Sequence, residues 1–282
     1  MKALRVIPTG IAQDDRTWGL RMMEPLGGPP TGGAALGWSE QDGWRSLVGR
    51  LGREAALTLY LDGMELATLL CTPGELNCLV VGFLADEGLI EGLADISLLR
   101  VCEEEGVADV RLVTPREVAA KRILTSGCGG GVTFDEGSEL APVSSGVTVA
   151  PKKLLAGMRR LLRSGGDPSD RGGLHASALF DGDDLLVVSR DVGRHNTLDK
   201  IRGECILRGM ETRDRLLLTT GRVSSEMIVK AARMGVPIVA SVNSPTDRAV
   251  GLAGRLGIAV VGYVRGGRLT VYSCPERLGC GG

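Results

Sequence analysis

Between residues 196 and 264 the chain alternates short helical patterns with short extended ones, and this regularity constrains the fold more than any other feature. Helical patterns cover 196–208, 224–234 and 246–256, and apolar extended runs cover 215–219, 237–241 and 258–264. The helices run into Gly209, Gly235 and Gly257, and glycine takes the left-handed conformation of a helix C-terminus without steric cost. Strands separated by helices in this way build an α/β domain, a mixed and largely parallel sheet covered by helices. Gly266-Gly267 then turns the chain into a last strand at 268–272.

A smaller α+β unit precedes this core. Leu57–Leu61 and Glu65–Leu70 flank Asp62-Gly63 and form a hairpin around a tight turn. Thr72-Pro73 is expected to cap a helix with proline at its first position and Glu75 in its first turn. That helix carries Leu76, Leu79, Val80 and Phe83 on one side and ends at Gly88. Extended runs at 96–101 and 109–113 close the unit. Pro151 opens a basic amphipathic helix that Gly165-Gly166 ends, and a second hairpin, 174–180 with 185–190, turns at Asp181–Asp184. The organisation is therefore a poorly ordered Gly/Pro-rich leader over 1–50, a small α+β unit over 51–122, a connection over 123–150, and an α/β core over 151–282.

With 43% hydrophobic residues in 282, the chain is globular and long enough for a substantial core. A formal net charge of -1 excludes nucleic-acid binding that relies on overall basicity. Seven cysteines, an odd count at irregular spacing, point to free thiols in a reducing cytoplasm rather than to a disulfide framework. No apolar run reaches the length of a membrane span.

The segment Thr125-Ser126-Gly127-Cys128-Gly129-Gly130-Gly131 carries the chemistry most worth weighing. A nucleophilic thiolate needs nearby positive charge or backbone N–H donors, and consecutive glycines let successive N–H groups face one anion. The alternative is a Gly-rich turn that holds a chance cysteine. Two strand-to-helix junctions carry arginine: Asp191-Val192-Gly193-Arg194-His195-Asn196 and Thr220-Gly221-Arg222-Val223-Ser224, with Ser224 as N-cap. A cation at a helix start opposes the helix dipole. Arg194 and Arg222 therefore suit an anion, phosphate above all, at the carboxyl ends of strands; otherwise they are ordinary surface cations. His175 and His195 are the only histidines; each is either an acid–base group or a satisfied, partly buried ring. No Cys/His spacing suits a metal, and Gly172-Gly173-Leu174-His175 opens no dinucleotide-binding helix.

Together these segments resemble the formate dehydrogenase accessory sulfurtransferase family. The resemblance lies in Thr125–Gly129, Gly173-Leu174-His175-Ala176-Ser177-Ala178, Asp191–Lys200, Thr219–Met227 and Ala249–Ala253, with Thr72-Pro73 and Gly82–Gly88 upstream, in order from about residue 54 to 275. It implies a cytoplasmic protein with a cytidine-deaminase-like α/β core. It further implies a carrier that takes sulfur from a cysteine desulfurase to the molybdenum cofactor in its bis-guanine-dinucleotide form for formate dehydrogenase. The family's persulfide-carrying cysteine falls on Cys128. Its cofactor-binding stretch falls on Tyr263-Val264-Arg265-Gly266-Gly267-Arg268, with Arg194, Arg222 and His195 as further candidates. GDP is the corresponding small mimic, no metal ligand is implied, and a homodimer is compatible with the exposed stretch.

Many relatives carry C-x-x-C, whereas Gly131 stands at the second position here. Transfer through one persulfide remains chemically complete; for a step that needs a resolving thiol, Cys274 or Cys280 could serve instead, the alternative being that a cysteine in this Gly-rich C-terminal tail is incidental. Two other readings compete: a cofactor-binding chaperone that handles no sulfur, and a zinc deaminase. The second is disfavoured because Ser177 stands where such enzymes place glutamate, and the P-C-x-x-C ligand pair is missing.

Overall fold

The computed structural model describes residues 35–47, 51–115, 140–164 and 173–280. Within the stretch read as a leader, β1 (Ala35–Ser39) and β2 (Gly43–Leu47) form an antiparallel hairpin in which Trp38 faces Trp44. The hairpin was not expected, because the surrounding glycines and prolines mask a short alternation of large side chains.

The first sheet has the order β4-β3-β6-β5, from β3 (Ala55–Leu61), β4 (Met64–Cys71), β5 (Ile96–Cys102) and β6 (Val107–Leu112). β3 and β6 are parallel; the outer pairs are antiparallel. Helix α1 (Leu76–Asp86) packs on it, and Leu57, Leu59, Leu79, Leu84 and Val110 form its core. The expected cap does not form. Glu75 sits at the N-cap with φ 53°, and the Thr72 hydroxyl instead accepts the Val192 amide at 3.0 Å. A tertiary contact has captured the group that local sequence assigned to the helix.

The second sheet has the order β12-β11-β10-β9-β7-β8. Its strands are β7 (His175–Phe180), β8 (Leu185–Asp191), β9 (Leu216–Thr219), β10 (Ile238–Ser241), β11 (Ala259–Arg265) and β12 (Arg268–Val271). Only β9/β10 and β10/β11 are parallel. The sheet is thus mixed, as the expected class requires, but less parallel than the helix–strand alternation suggested, because hairpins supply both edges. Successive strand residues face opposite sides. Leu217, Val239 and Val260 meet α3 (Arg194–Arg208), α4 (Ser225–Arg233) and α5 (Asp247–Arg255) on one face. Leu218, Ala240 and Val261 meet Leu154, Met158 and Leu161 of α2 (Pro151–Arg163) on the other. Among the described residues no helix is long and apolar enough to cross a membrane.

The two sheets are joined through helices α1 and α3. Each has a glycine at the crossing, Gly82 and Gly203. A Cβ on Gly82 would collide with the Asp199 carbonyl, and one on Gly203 with the Cys78 carbonyl. Around this backbone contact lie two buried lysines. Lys200 reaches Asp191 at 2.8 Å and the Thr72 carbonyl at 3.0 Å. Lys230 reaches Asp199 at 2.6 Å, with Asp86 at 3.9 Å and Glu87 at 4.0 Å.

Candidate functional site

β9, β10 and β11 are parallel, so their carboxyl ends lie on one edge of the second sheet. The register of β7 with β8 (His175 opposite Asp191) and of β11 with β12 (Arg265 opposite Arg268) brings three more segments to that edge. Arg194, His195, Arg222 and Tyr263–Arg268 all fall there. At about 4.8 Å per strand, the ends of β9 and β11 stand about 10 Å apart.

At the α3 side, the Arg194 stem lies over Gly221, whose added Cβ would stand 2.8 Å from Arg194 Cβ. The loops beneath are tied by polar bonds. The Ser241 hydroxyl donates to the Gly221 carbonyl at 2.6 Å, and the Asn243 side-chain amide donates to the Thr220 carbonyl at 2.7 Å. Arg194 Nε is buried and has no hydrogen-bond partner among the described residues, and such a donor calls for a ligand or water. His195 is held by Ser224 and Glu226. Burial, then Arg194 and Lys230, push the His195 ring down to about 3. Burial and Arg194 also lower His175. Both rings are therefore neutral at pH 7.

At the β11 side, Tyr263 is exposed and has φ 54°, a conformation that costs a bulky residue energy and recurs at functional positions. Its amide donates to the Asn243 carbonyl at 3.2 Å, which links this side to the central loops. Gly266 and Gly267, with φ 58° and 74°, make the two-residue turn that pairs Arg265 with Arg268. The Arg265 guanidinium lies 5.9 Å from the Tyr263 ring centre. Tyr263, Arg265, Gly266, Arg268, Leu269 and Thr270 line a cleft of about 390 Å³. Val264, between them, is buried in the core and offers only its backbone. Arg222 is exposed beside Gly221.

Cys128 lies outside the described residues. Among the described cysteines, burial pushes the Cys71 and Cys78 thiols up to about 12 and the Cys205 thiol up to about 11. Cys274, considered as a second thiol, is also raised by burial and by Glu276. None of these four favours the thiolate near neutral pH. Ser177 is fully buried, its hydroxyl 2.6 Å from Thr197 Oγ1 and donating to Thr219 Oγ1 at 2.9 Å. The position that the deaminase reading needed for a catalytic carboxylate is thus part of the packing under the edge.

Glu226 was not singled out from sequence, and Ser224 was read only as a helix cap. Ser224 does cap α4 through Met227 N. Its second partner, a histidine 29 residues away, leaves no local signal.

Comparison with known proteins agrees with this architecture. A sulfur carrier protein FdhD from Bacillus subtilis is 39% identical over 249 residues, covering 86% of this chain and 95% of that protein. One from Geobacillus kaustophilus is 38% identical, covering 80% and 88%. The crystal structure of a protein described as a formate dehydrogenase accessory protein, from Desulfotalea psychrophila, superposes with a TM-score of 0.71 at 26% identity, covering 87% of this chain and 97% of the other. Residues 52–279 match the FdhD/NarQ family, and with curated relatives at this identity over nearly their whole length, the chain belongs to it.

Proposed function

We propose that the protein is a sulfur carrier that serves formate dehydrogenase. Cys128 thiolate attacks the terminal sulfur of a cysteine desulfurase persulfide. The new S–S bond leaves the sulfur on Cys128, and the desulfurase cysteine departs as thiolate. The carrier then passes that sulfur to its substrate, the molybdenum cofactor in its bis-guanine-dinucleotide form, in the cytoplasm.

The observation that carries this reading is the convergence of Arg194, Arg222, Arg265, Arg268 and Tyr263 on one sheet edge, in a chain whose curated relatives are sulfur carriers. The chemistry fits the substrate. An unsatisfied guanidinium nitrogen and exposed arginines suit a pyrophosphate, and an exposed tyrosine ring suits a guanine face. Backbone N–H groups at the Gly266-Gly267 turn add donors without side chains in the way.

The test is intact-protein mass spectrometry after incubation with a cysteine desulfurase and cysteine, alongside GDP binding. A gain of one sulfur atom, absent in Cys128→Ala and removed by reductant, is expected. GDP binding without any sulfur gain in the wild type would leave only the cofactor-binding chaperone.

A further inference from the structure

β11 lies between β10 and β12, and it breaks both ladders at Tyr263. On the β12 side, Gly262 pairs with Thr270 and Arg265 with Arg268, so Tyr263 and Val264 stand opposite Leu269 alone. That is a β-bulge, and the left-handed residue of such a bulge is ordinarily glycine. Here it is Tyr263, with φ 54°. On the β10 side, the Ala259 amide donates to the Pro237 carbonyl at 2.8 Å. Continued at that spacing, the Tyr263 amide would meet the Ser241 carbonyl. It donates instead to the Asn243 carbonyl, at 3.2 Å.

Asn243 is itself fixed twice. Its backbone amide donates to Ser241 Oγ at 2.9 Å, and its side-chain Nδ2 donates to the Thr220 carbonyl at 2.7 Å. Gly262 lets the Asn243 carbonyl come close to β11: a Cβ there would stand 3.0 Å from that oxygen and 2.9 Å from the Tyr272 ring. The Thr220-Gly221 turn has other anchors. The Thr220 amide donates to the Ala176 carbonyl at 2.8 Å, Thr220 Oγ1 accepts the Ala176 amide at 2.9 Å, and Gly221 is held by Ser241 and Thr219. Loss of the Asn243 side chain therefore frees the β11 side of the edge and leaves the Arg194 side in place. A left-handed tyrosine that loses its anchor relaxes toward the extended conformation, and its ring leaves the place it holds beside Arg265.

We propose that Asn243 is a positioning residue whose carbonyl holds Tyr263 in the left-handed conformation that presents its exposed ring to the base of a guanine nucleotide. Tyr263 is the contact, and Asn243 acts through it. The inference rests on the reading that this edge takes a guanine-dinucleotide cofactor. It adds the residue that governs the grip on the base, as distinct from the grip on the phosphates.

The test titrates the full chain with GDP and, separately, with inorganic pyrophosphate, which has no base to stack. Asn243→Ala is expected to weaken GDP binding about fivefold and to leave pyrophosphate binding as in the wild type. Tyr263→Gly removes the ring and adopts the left-handed conformation unaided, so adding Asn243→Ala to it should weaken GDP binding no further. Gly262→Ala approaches the same contact from the other side, by pushing the Asn243 carbonyl off the Tyr263 amide, and should show the same selective loss. Backbone hydrogen exchange reads the bond itself: the Tyr263 amide should be protected in the wild type and exchange faster in Asn243→Ala. GDP binding indifferent to Asn243, losses that add in the double variant, or an equal loss of pyrophosphate binding would each overturn the inference. So would a wild type that does not bind GDP. Failure of the sulfur-carrier reading would show separately, as GDP binding without sulfur gain on wild-type Cys128.

Discussion

Asp191 and Lys200 form an ion pair of 2.8 Å with side-chain exposures of 0% and 2%, and they sit where the two sheets meet. Asp191 has further partners from both sides: the Thr72 amide at 3.0 Å, the Gly193 amide at 2.8 Å and the Asn196 side-chain amide at 2.8 Å. Asn196 in turn donates to the Leu70 carbonyl at 2.8 Å. One carboxylate thus ties the end of β4, the start of α3 and the end of β8 together.

Removing one charge of that pair leaves the other buried and unpaired. Lys200→Met should cost about 3–5 kcal/mol, and Asp191→Asn a comparable amount. The double variant should recover part of the loss, since it strands neither charge. Denaturant melts of the three variants give the coupling. Additive losses would mean that the two side chains do not act as a pair.

The crossing of α1 and α3 gives a second expectation. Alanine at Gly203 gains up to about 1 kcal/mol in helix propensity. Its Cβ, however, would stand 2.8 Å from the Gly82 amide nitrogen and collide with the Cys78 carbonyl. Backbone cannot yield as a side chain does, so Gly203→Ala should destabilise by at least about 3 kcal/mol. Gly254→Ala is the control: it lies on α5, where nothing stands within 4 Å, and it should be neutral or stabilising in the same thermal melt.

The parts of this molecule that sequence discloses are those with local causes. The helix–strand alternation is visible because Ser224 and Thr246 cap α4 and α5 from within their own segments, and because Gly209, Gly235 and Gly257 supply left-handed ends. The arginine junctions follow from the same logic. Thr72 misleads because its hydroxyl serves an amide 120 residues away rather than its own helix. Asp191 with Lys200, Lys230 with Asp199, and His195 with Ser224 each join separate elements and leave no periodic trace. Val264 was recoverable. It alternates with exposed Tyr263 and Arg265 along one strand, and such a neighbour points inward.

Acid should loosen the α3–α4 edge with a definite sign. The folded His195 ring titrates at about 3 against an ordinary 6.5. Its contribution to stability is therefore complete above about pH 6.5 and is lost as pH falls toward 3, by up to about 1.4 kcal/mol per pH unit. His175, also lowered, acts in the same direction. Glu226 acts in the opposite one: raised by burial, its contribution is present below 4.5 and lost as pH rises through its folded value. The useful quantity is thus the difference between wild type and His195→Asn. That difference should shrink between pH 6.5 and pH 5; a constant difference would place the ring in a hydrated setting.

Tyr263 should show stability and binding moving apart. Its φ of 54° is a conformation that asparagine tolerates better than an aromatic residue. The residue is 41% exposed, so the core loses little when the ring is removed. Tyr263→Asn should therefore raise stability by about 0.5–1 kcal/mol. If the ring stacks on a guanine, the same change should weaken GDP binding by about tenfold, since a base on an aromatic face is worth about 1–3 kcal/mol. Tyr263→Phe keeps the face and should bind GDP as the wild type does. Calorimetric titration and a thermal melt on the three proteins separate the effects. A stabilised Tyr263→Asn protein with undiminished GDP affinity would show the strain to be independent of the ligand, and would move the nucleotide to the Arg194 end of the edge.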